Sequence, residues 1–157
     1  MKYWLATMLI ILASTASQAL NTQEQRWVEA VRNTYGDRAG KRVETWRREM
    51  EQFQGLSERQ KLTEVNAFFN QLNFVNDDRL WGKKDYWATP LEFLGSNAGD
   101  CEDFTIAKYF SLLELGVSDK KLRLVYVKAI TLNQFHMVLA YYLSLIHISE
   151  PTRQVPI

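Results

Sequence analysis

The sequence predicts an α+β fold in which helices come first and an antiparallel sheet follows. Between residues 22 and 115, apolar residues recur every three or four positions, the spacing of one helix face. From Lys121 onward, apolar and polar residues alternate and several are β-branched, as in half-buried strands. With 46% hydrophobic and 13% aromatic residues, the chain has enough apolar material for a packed core.

Three helices are predicted in the N-terminal half. The first ends at Gly36, and the second runs from about 37 to 53. Ser57 and Gln60 form a capping-box pattern at the start of the third helix, which continues to about Leu72. The aromatic residues on the apolar faces of these helices are interpreted as core residues.

An irregular connection is predicted for residues 73–90, followed by a short helix that ends at Gly95. Thr89-Pro90 has the pattern of an N-cap and a first-turn proline. After a loop that contains glycine, a longer helix is predicted from Cys101 to Leu115. Cys101 is therefore expected in the first turn of a helix.

Two antiparallel strands are predicted at 121–130 and 135–142, joined by a turn. Alternate residues of a strand point to opposite faces. In the second strand, His136 therefore shares a face with Val138, and Met137 lies on the other face.

Residues 1–19 have the pattern of a secretory signal peptide. Lys2 precedes an apolar run of about 11 residues, short of the ~20 that span a bilayer, which argues against the alternative of a membrane anchor. Ser17 and Ala19 suit the −3 and −1 positions of a cleavage site. We expect export, cleavage after Ala19 and no stable membrane insertion afterwards.

The last fifteen residues do not continue the pattern of the preceding chain. Residues 143–153 match the translation of a transposon-end sequencing adapter. We interpret 20–142 as the folded domain and 143–157 as a non-native read-through tail, with a genuine short tail as the alternative. His147 is therefore left out of every functional argument.

Cys101 is the single cysteine of the chain, so it cannot form an intrachain disulfide. It could form an intermolecular bridge, be a buried inert thiol or be a reactive one. The partial positive charge at a helix N-terminus lowers the pKa of a thiol. The flanking Asp100 and Glu102 oppose this only if they face the sulfur, and consecutive helix positions point about 100° apart. They could also bind a cation, which would cancel their charge.

His136 is the one histidine outside the predicted tail, and it lies 35 residues after Cys101. At the start of a strand beside a helix N-terminus, its imidazole could serve as the general base for a thiolate. The alternatives are a core histidine and a buried thiol. Two soft ligands are too few for a zinc site. The net charge of +1 gives no electrostatic case for nucleic-acid binding.

Several motifs in order resemble a known family. The segments WATPLEFL (87–94), GDCEDF (99–104) and HMVLAYY (136–142) are similar to the bacterial transglutaminase-like cysteine peptidases, and in particular to the LapG-type periplasmic adhesin-releasing proteases. The resemblance is close from about Trp81 to Tyr142. It implies a papain/transglutaminase-like fold whose sheet is incomplete in this fragment.

The resemblance also implies the residues of the site. The family's nucleophile falls on Cys101 and its base on His136, and its calcium-binding acids match Asp100 and Glu102. The family's triad ends with an aspartate on a later strand, and no acid follows His136 before the predicted tail. The implied activity is Ca²⁺-dependent cysteine endopeptidase chemistry, with this fragment weak or inactive.

The resemblance further implies a periplasmic location and two protein partners. The substrate would be the N-terminal region of a large surface adhesin, and the regulator the periplasmic domain of an inner-membrane cyclic-di-GMP receptor, so that cleavage controls biofilm attachment. Two alternatives stay open at this point. One is a transglutaminase-like acyltransferase or amidase, and the other is a non-enzymatic exported binding module.

Overall fold

The computed structural model describes residues 19–131, 133–144 and 147–148. The predicted signal peptide, apart from its last residue, lies outside the described residues, and so does most of the predicted tail. None of the helices in the described part has the length and apolarity that crossing a bilayer requires.

Apart from one short helix, the described part contains the helices that the sequence predicts, in the predicted order. The helices are α1 (Thr22–Tyr35), α2 (Asp37–Phe53), α3 (Glu58–Phe69), α4 (Asp77–Leu80), α5 (Pro90–Ser96) and α6 (Cys101–Glu114). The predicted end of α1 and both bounds of α2 are confirmed. Helix α3 ends three residues earlier than expected, at Phe69, where Leu72 N–H bonds back to Phe69 O at 3.0 Å in a turn. The short α4 was not predicted.

Local capping explains why two of these helices begin where they do. At α5, Glu92 accepts a hydrogen bond from Thr89 N–H at 2.8 Å, and Thr89 Oγ1 accepts one from Glu92 N–H. At α3, Gln60 accepts from Ser57 N–H at 3.1 Å. These reciprocal bonds satisfy N–H groups that a helix start leaves unpaired. Both predicted N-termini are thus confirmed.

Gly95 does not end α5, contrary to the prediction. The helix continues to Ser96 and is terminated by Asn97, whose backbone is left-handed at φ 58°. Gly95 is instead needed for close packing, because a Cβ there would lie 2.5 Å from the ring of Tyr35. Glycine in this helix therefore allows α1 to approach, rather than breaking the helix.

A small parallel sheet connects two segments that were predicted to be irregular. Strand β1 (Asn73–Phe74) pairs with β2 (Ala98–Gly99), which immediately precedes Asp100 and α6. The pairing places the chain that leads into α4 beside the start of α6.

The main sheet has the order β3–β4–β5, with β3 at Leu122–Ala129, β4 at Gln134–Ser144 and β5 at His147–Ile148. The pairing of β3 with β4 is antiparallel, as predicted, and the pairing of β4 with β5, which was not predicted, is antiparallel too. Strand β4 continues two residues into the predicted tail, and the backbone of β5 pairs with it. The register sets Val127 opposite His136 and Tyr126 opposite Met137.

Helix α6 lies at the centre of the fold and contacts α3, α5 and β4. Three buried phenylalanines join these helices: Phe69 stacks on Phe93 with ring centroids 6.0 Å apart, and Phe93 meets Phe104 edge-on at 4.6 Å. The strand side of the core is formed by Met137 and Leu139, which are both buried. The N-terminus of α6 is therefore supported by packing on several sides.

Candidate active site and acidic cluster

Cys101 is the first residue of α6, as predicted, and only 7% of its surface is exposed. Asp100 is the N-cap, and its carboxylate accepts a hydrogen bond from Glu102 N–H at 3.2 Å. Asp103 completes a capping box by accepting a bond from Asp100 N–H at 3.2 Å. The start of the helix is thus held by two of the acids that surround the cysteine.

The third acid, Glu102, faces the sulfur directly. The Cys101 thiol donates a hydrogen bond to Glu102 Oε2 at 2.9 Å, and Tyr126 O–H donates to Glu102 Oε1 at 3.1 Å. Burial, and then the bond to Glu102, raise the pKa of the thiol to about 12, while the backbone of Met137 opposes this shift. The expectation of a lowered pKa is wrong for this arrangement, because desolvation and a facing carboxylate outweigh the helix dipole.

His136 lies on β4, one residue before the point where this strand contacts α6. Met137 O accepts a hydrogen bond at 3.0 Å from Thr105 Oγ1, which lies four residues after Cys101 on α6. The structure therefore brings the strand of His136 to the helix of Cys101. The backbone of His136 pairs with Val127 of β3, but among the described residues its imidazole has no hydrogen-bond or ion-pair partner, so neither a bond to Cys101 nor an orienting carboxylate is present there.

Beside Cys101, three aspartates form an acidic cluster. The carboxylates of Asp77, Asp100 and Asp103 each offer an oxygen, and these oxygens lie within 4.8 Å of one another. Asp77 comes from α4, and the other two come from the start of α6. Asp77 and Asp103 are 4% and 0% exposed.

Backbone N–H groups satisfy only part of this cluster. Asp103 Oδ1 accepts from Ala88 N–H at 2.7 Å, and Asp77 Oδ2 accepts from Tyr86 N–H at 2.5 Å. The other oxygen of Asp77, Oδ1, is buried without a hydrogen-bond partner. Such atoms are rare in folded proteins, and an oxygen left without a partner in a cluster of carboxylates is compatible with a cation site.

Without a bound cation, ionisation of the carboxylates in the acidic cluster is unfavourable. Burial, followed by the charges of Glu102, Asp77 and Asp103, raises the pKa of Asp100 to about 7. Burial is also the main cause that raises the pKa of Asp103 to about 6. A divalent cation with a preference for oxygen ligands would offset both effects, so the residues present fit calcium.

The predicted metal ligands are only partly members of this cluster. Asp100 belongs to it, whereas the oxygens of Glu102 contact Cys101 and Tyr126. Asp77 and Asp103 were not predicted. Asp103 could have been found from the capping-box spacing with Asp100, but no local pattern marks Asp77, which reaches the cluster through the β1–β2 pairing.

A comparison with protein families accounts for this arrangement. The sequence model of the bacterial transglutaminase-like cysteine proteinases matches residues 34–144, which include every element from α2 to β4. The chain belongs to this family. The transglutaminase-like cysteine proteinase fold that the motifs implied is thereby confirmed.

Solved structures agree with the family assignment. The chain is similar to LapG of Legionella pneumophila, with 38% identity and a TM-score of 0.69 over 82% of this chain and 69% of that chain. The EGTA-treated form of that protein matches at 38% identity and a TM-score of 0.69, over 82% of this chain and 67% of that one. Its calcium-bound form matches at 37% identity and a TM-score of 0.66, over 76% of this chain and 66% of that one. No curated protein matches the chain.

Proposed function

We propose that this protein is a calcium-dependent cysteine endopeptidase with Cys101 as its nucleophile and His136 as its general base. The observation that carries the proposal is the contact between α6 and β4, where Thr105, four residues after Cys101, donates a hydrogen bond to the backbone O of Met137, the residue after His136. Cys101 is also the single cysteine of a chain that belongs to a cysteine proteinase family.

In the proposed reaction, the proton of the Cys101 thiol passes to the imidazole of His136. The thiolate sulfur then bonds to a backbone carbonyl carbon of the substrate, and N–H groups at the start of α6 stabilise the oxyanion. The protonated His136 gives its proton to the leaving amine as the peptide bond breaks. Water hydrolyses the resulting thioester and restores the thiol.

The bond between Cys101 and Glu102 has to be released before this reaction can start. The thiol now donates to the Glu102 carboxylate, and the same proton must go to His136. An acceptor in direct contact favours the protonated thiol. We propose that the arrangement described here is a resting one, in which Glu102 keeps the nucleophile protonated.

For the cation, Asp77, Asp100 and Asp103 are the proposed ligands, together with Glu102 as the resemblance implies. The unpartnered Asp77 Oδ1 supports this assignment. A calcium ion at this place would supply positive charge close to the nucleophile. The similarity to a calcium-bound LapG favours calcium over other divalent cations.

We further propose that the protein acts in the periplasm on the N-terminal region of a large surface adhesin, and so controls biofilm attachment. Its regulator would be the periplasmic domain of an inner-membrane cyclic-di-GMP receptor. This part of the proposal is supported by the resemblance to LapG-type proteases and by the signal-peptide pattern of residues 1–19.

The reactivity of Cys101 toward iodoacetamide tests the core of the proposal. With calcium present at pH 6, Cys101 should be alkylated faster than glutathione, and His136→Ala should slow the reaction. Cys101→Ser is the blank. Alkylation no faster than that of glutathione in the presence of calcium would contradict the proposed nucleophile. The mass of products from an adhesin fragment then separates hydrolysis, which adds water, from amine transfer, which loses ammonia.

A further inference from the structure

Trp87 lies between two backbone amides that the acidic cluster holds. The N–H of Tyr86 donates to Asp77 Oδ2 and the N–H of Ala88 donates to Asp103 Oδ1, both within 2.7 Å. Both acceptors are almost completely buried. The backbone on each side of Trp87 is therefore attached to rigid parts of the protein.

The side chains next to Trp87 are also well held. The Tyr86 ring packs against Trp81 with centroids 4.9 Å apart, and its hydroxyl donates to Glu92 at 2.8 Å. Ala88 is 2% exposed. Trp87, in contrast, is 50% exposed. Tryptophan is among the residue types enriched at binding hot spots, and Trp87 presents its ring to solvent from a rigid support.

The loop of Trp87 is hydrogen-bonded to the first turn of α6, the same turn that contains Cys101. Asp103, which holds the amide of Ala88, comes two residues after Cys101 on α6. The hydroxyl of Tyr126, on β3, bonds to Glu102 beside the thiol. The loop and β3 thus approach the start of α6 from different elements.

We propose that Trp87 is a specificity-determining residue that contacts an apolar side chain of the polypeptide substrate, and that Asp77 and Asp103 set its position. This inference rests on the proposed function, because it needs Cys101 as the reacting group. Cation binding at the acidic cluster would hold both carboxylates in place and would thereby keep Trp87 ready for the substrate.

Two alkylating reagents of different size test the contact in the full chain. Iodoacetamide offers no side chain to Trp87, whereas a leucyl-alanyl chloromethyl ketone offers an apolar one, and both alkylate the same sulfur. With calcium present, Trp87→Ala should lower the rate for the chloromethyl ketone relative to iodoacetamide by about tenfold, as expected for about 1.4 kcal/mol of lost binding. Trp87→Phe should restore most of the ratio.

Phe110→Ala is the matched control, since Phe110 is an exposed aromatic residue farther along α6, 54% exposed. It should leave the ratio of the two rates unchanged. An equal ratio in Trp87→Ala and the unaltered protein would overturn the inference while leaving Cys101 as the nucleophile. Failure of iodoacetamide to label Cys101 would instead overturn the proposed function.

Hydrogen exchange tests the role of the acidic cluster without any reaction at Cys101. Calcium should slow exchange at the amides of Tyr86 and Ala88, and Asp77→Asn should abolish this protection. Trp87→Ala should bind calcium as tightly as the unaltered protein, because its indole is not a ligand. Exchange at both amides that does not respond to calcium, in protein shown to bind it, would overturn the positioning role.

Discussion

Gly99 approaches Asp103 so closely that a Cβ at Gly99 would lie 2.5 Å from Asp103 Oδ2 and 2.7 Å from the ring of Phe93. Asp103 and Phe93 are both fully buried, so neither can move aside easily. The absence of a side chain immediately before Asp100 is thus a condition for the acidic cluster.

Replacing Gly99 by Ala should therefore disturb both the fold and the site. We expect the free energy of unfolding to fall by about 1–3 kcal/mol, the range for overpacking, and calcium binding to weaken. Urea unfolding and calcium titration measure the two effects. Gly55→Ala is the control, because a Cβ there meets nothing within 4 Å. Equal losses in both variants would show that close packing at Gly99 is unimportant.

Asp77→Asn should change stability in opposite directions with and without calcium. In chelator, it removes one charge from the acidic cluster and provides a donor toward its carboxylates, so the melting temperature should rise. A ligand at a hundred times its Kd raises the free energy of unfolding by about 2.7 kcal/mol. We expect calcium to stabilise the unaltered protein in this way and to raise the free energy of unfolding of the variant much less. Asp78→Asn, at the exposed neighbouring position, should behave like the unaltered protein. A calcium response in Asp77→Asn equal to that of the unaltered protein would exclude Asp77 as a ligand.

Arg47 of α2 connects this helix to α1 and to α6. It donates to Glu24 at 2.8 Å and to Glu114 at 2.9 Å, and its guanidinium lies over the Trp46 ring at 4.9 Å. Because Arg47 is 8% and Glu24 13% exposed, removing the cation leaves a poorly solvated carboxylate.

We expect Arg47→Ala to lower the free energy of unfolding by about 3 kcal/mol, the lower end for breaking a buried ion pair. Arg48→Ala, which breaks an exposed pair with Glu44, should cost less than about 1 kcal/mol. Chemical denaturation of both variants provides the comparison. Similar losses of free energy of unfolding in both variants would mean that burial does not strengthen the ion pairs of Arg47.

Lys108 is a buried amine on α6 that the proposed mechanism does not use. Its ammonium donates to Asn70 at 2.7 Å and is 5.5 Å from the Phe104 ring centroid, but burial lowers its pKa from 10.5 to about 8. Below pH 8 the buried Lys108 amine is therefore charged in the folded protein, which reduces the free energy of unfolding. Between pH 8 and 10.5 the folded state loses this proton before the unfolded state does, so this contribution to stability becomes more favourable as pH rises.

Lys108→Met should consequently stabilise the protein at pH 7 by up to roughly 3 kcal/mol, the equivalent of the pKa difference. The advantage should shrink as pH rises toward 10.5. Urea midpoints of both proteins across this range test the expectation. A difference that does not vary with pH would show that the buried charge is not its cause.

Local patterns predicted much of the framework. Helix α6 was recognised because its start at Cys101 and its apolar stripe both belong to one continuous segment, and β3 and β4 were recognised because they are adjacent in sequence. Helix α4 and strands β1 and β2 were missed, because two-residue strands and a single helical turn contain too few residues to form a period.

The sequence by itself determined that Cys101 opens a helix, that acids flank it and that His136 lies near the start of the second strand, because capping and periodicity act over a few residues. Only the tertiary structure decided which acid meets the sulfur and which acids meet one another. Asp77 joins Asp100 and Asp103 through the pairing of β1 with β2, across more than twenty residues of chain. Glu102 faces the thiol where Tyr126 of β3 holds its other oxygen. Orientation and burial, which set the pKa of Cys101, depend on packing between distant segments.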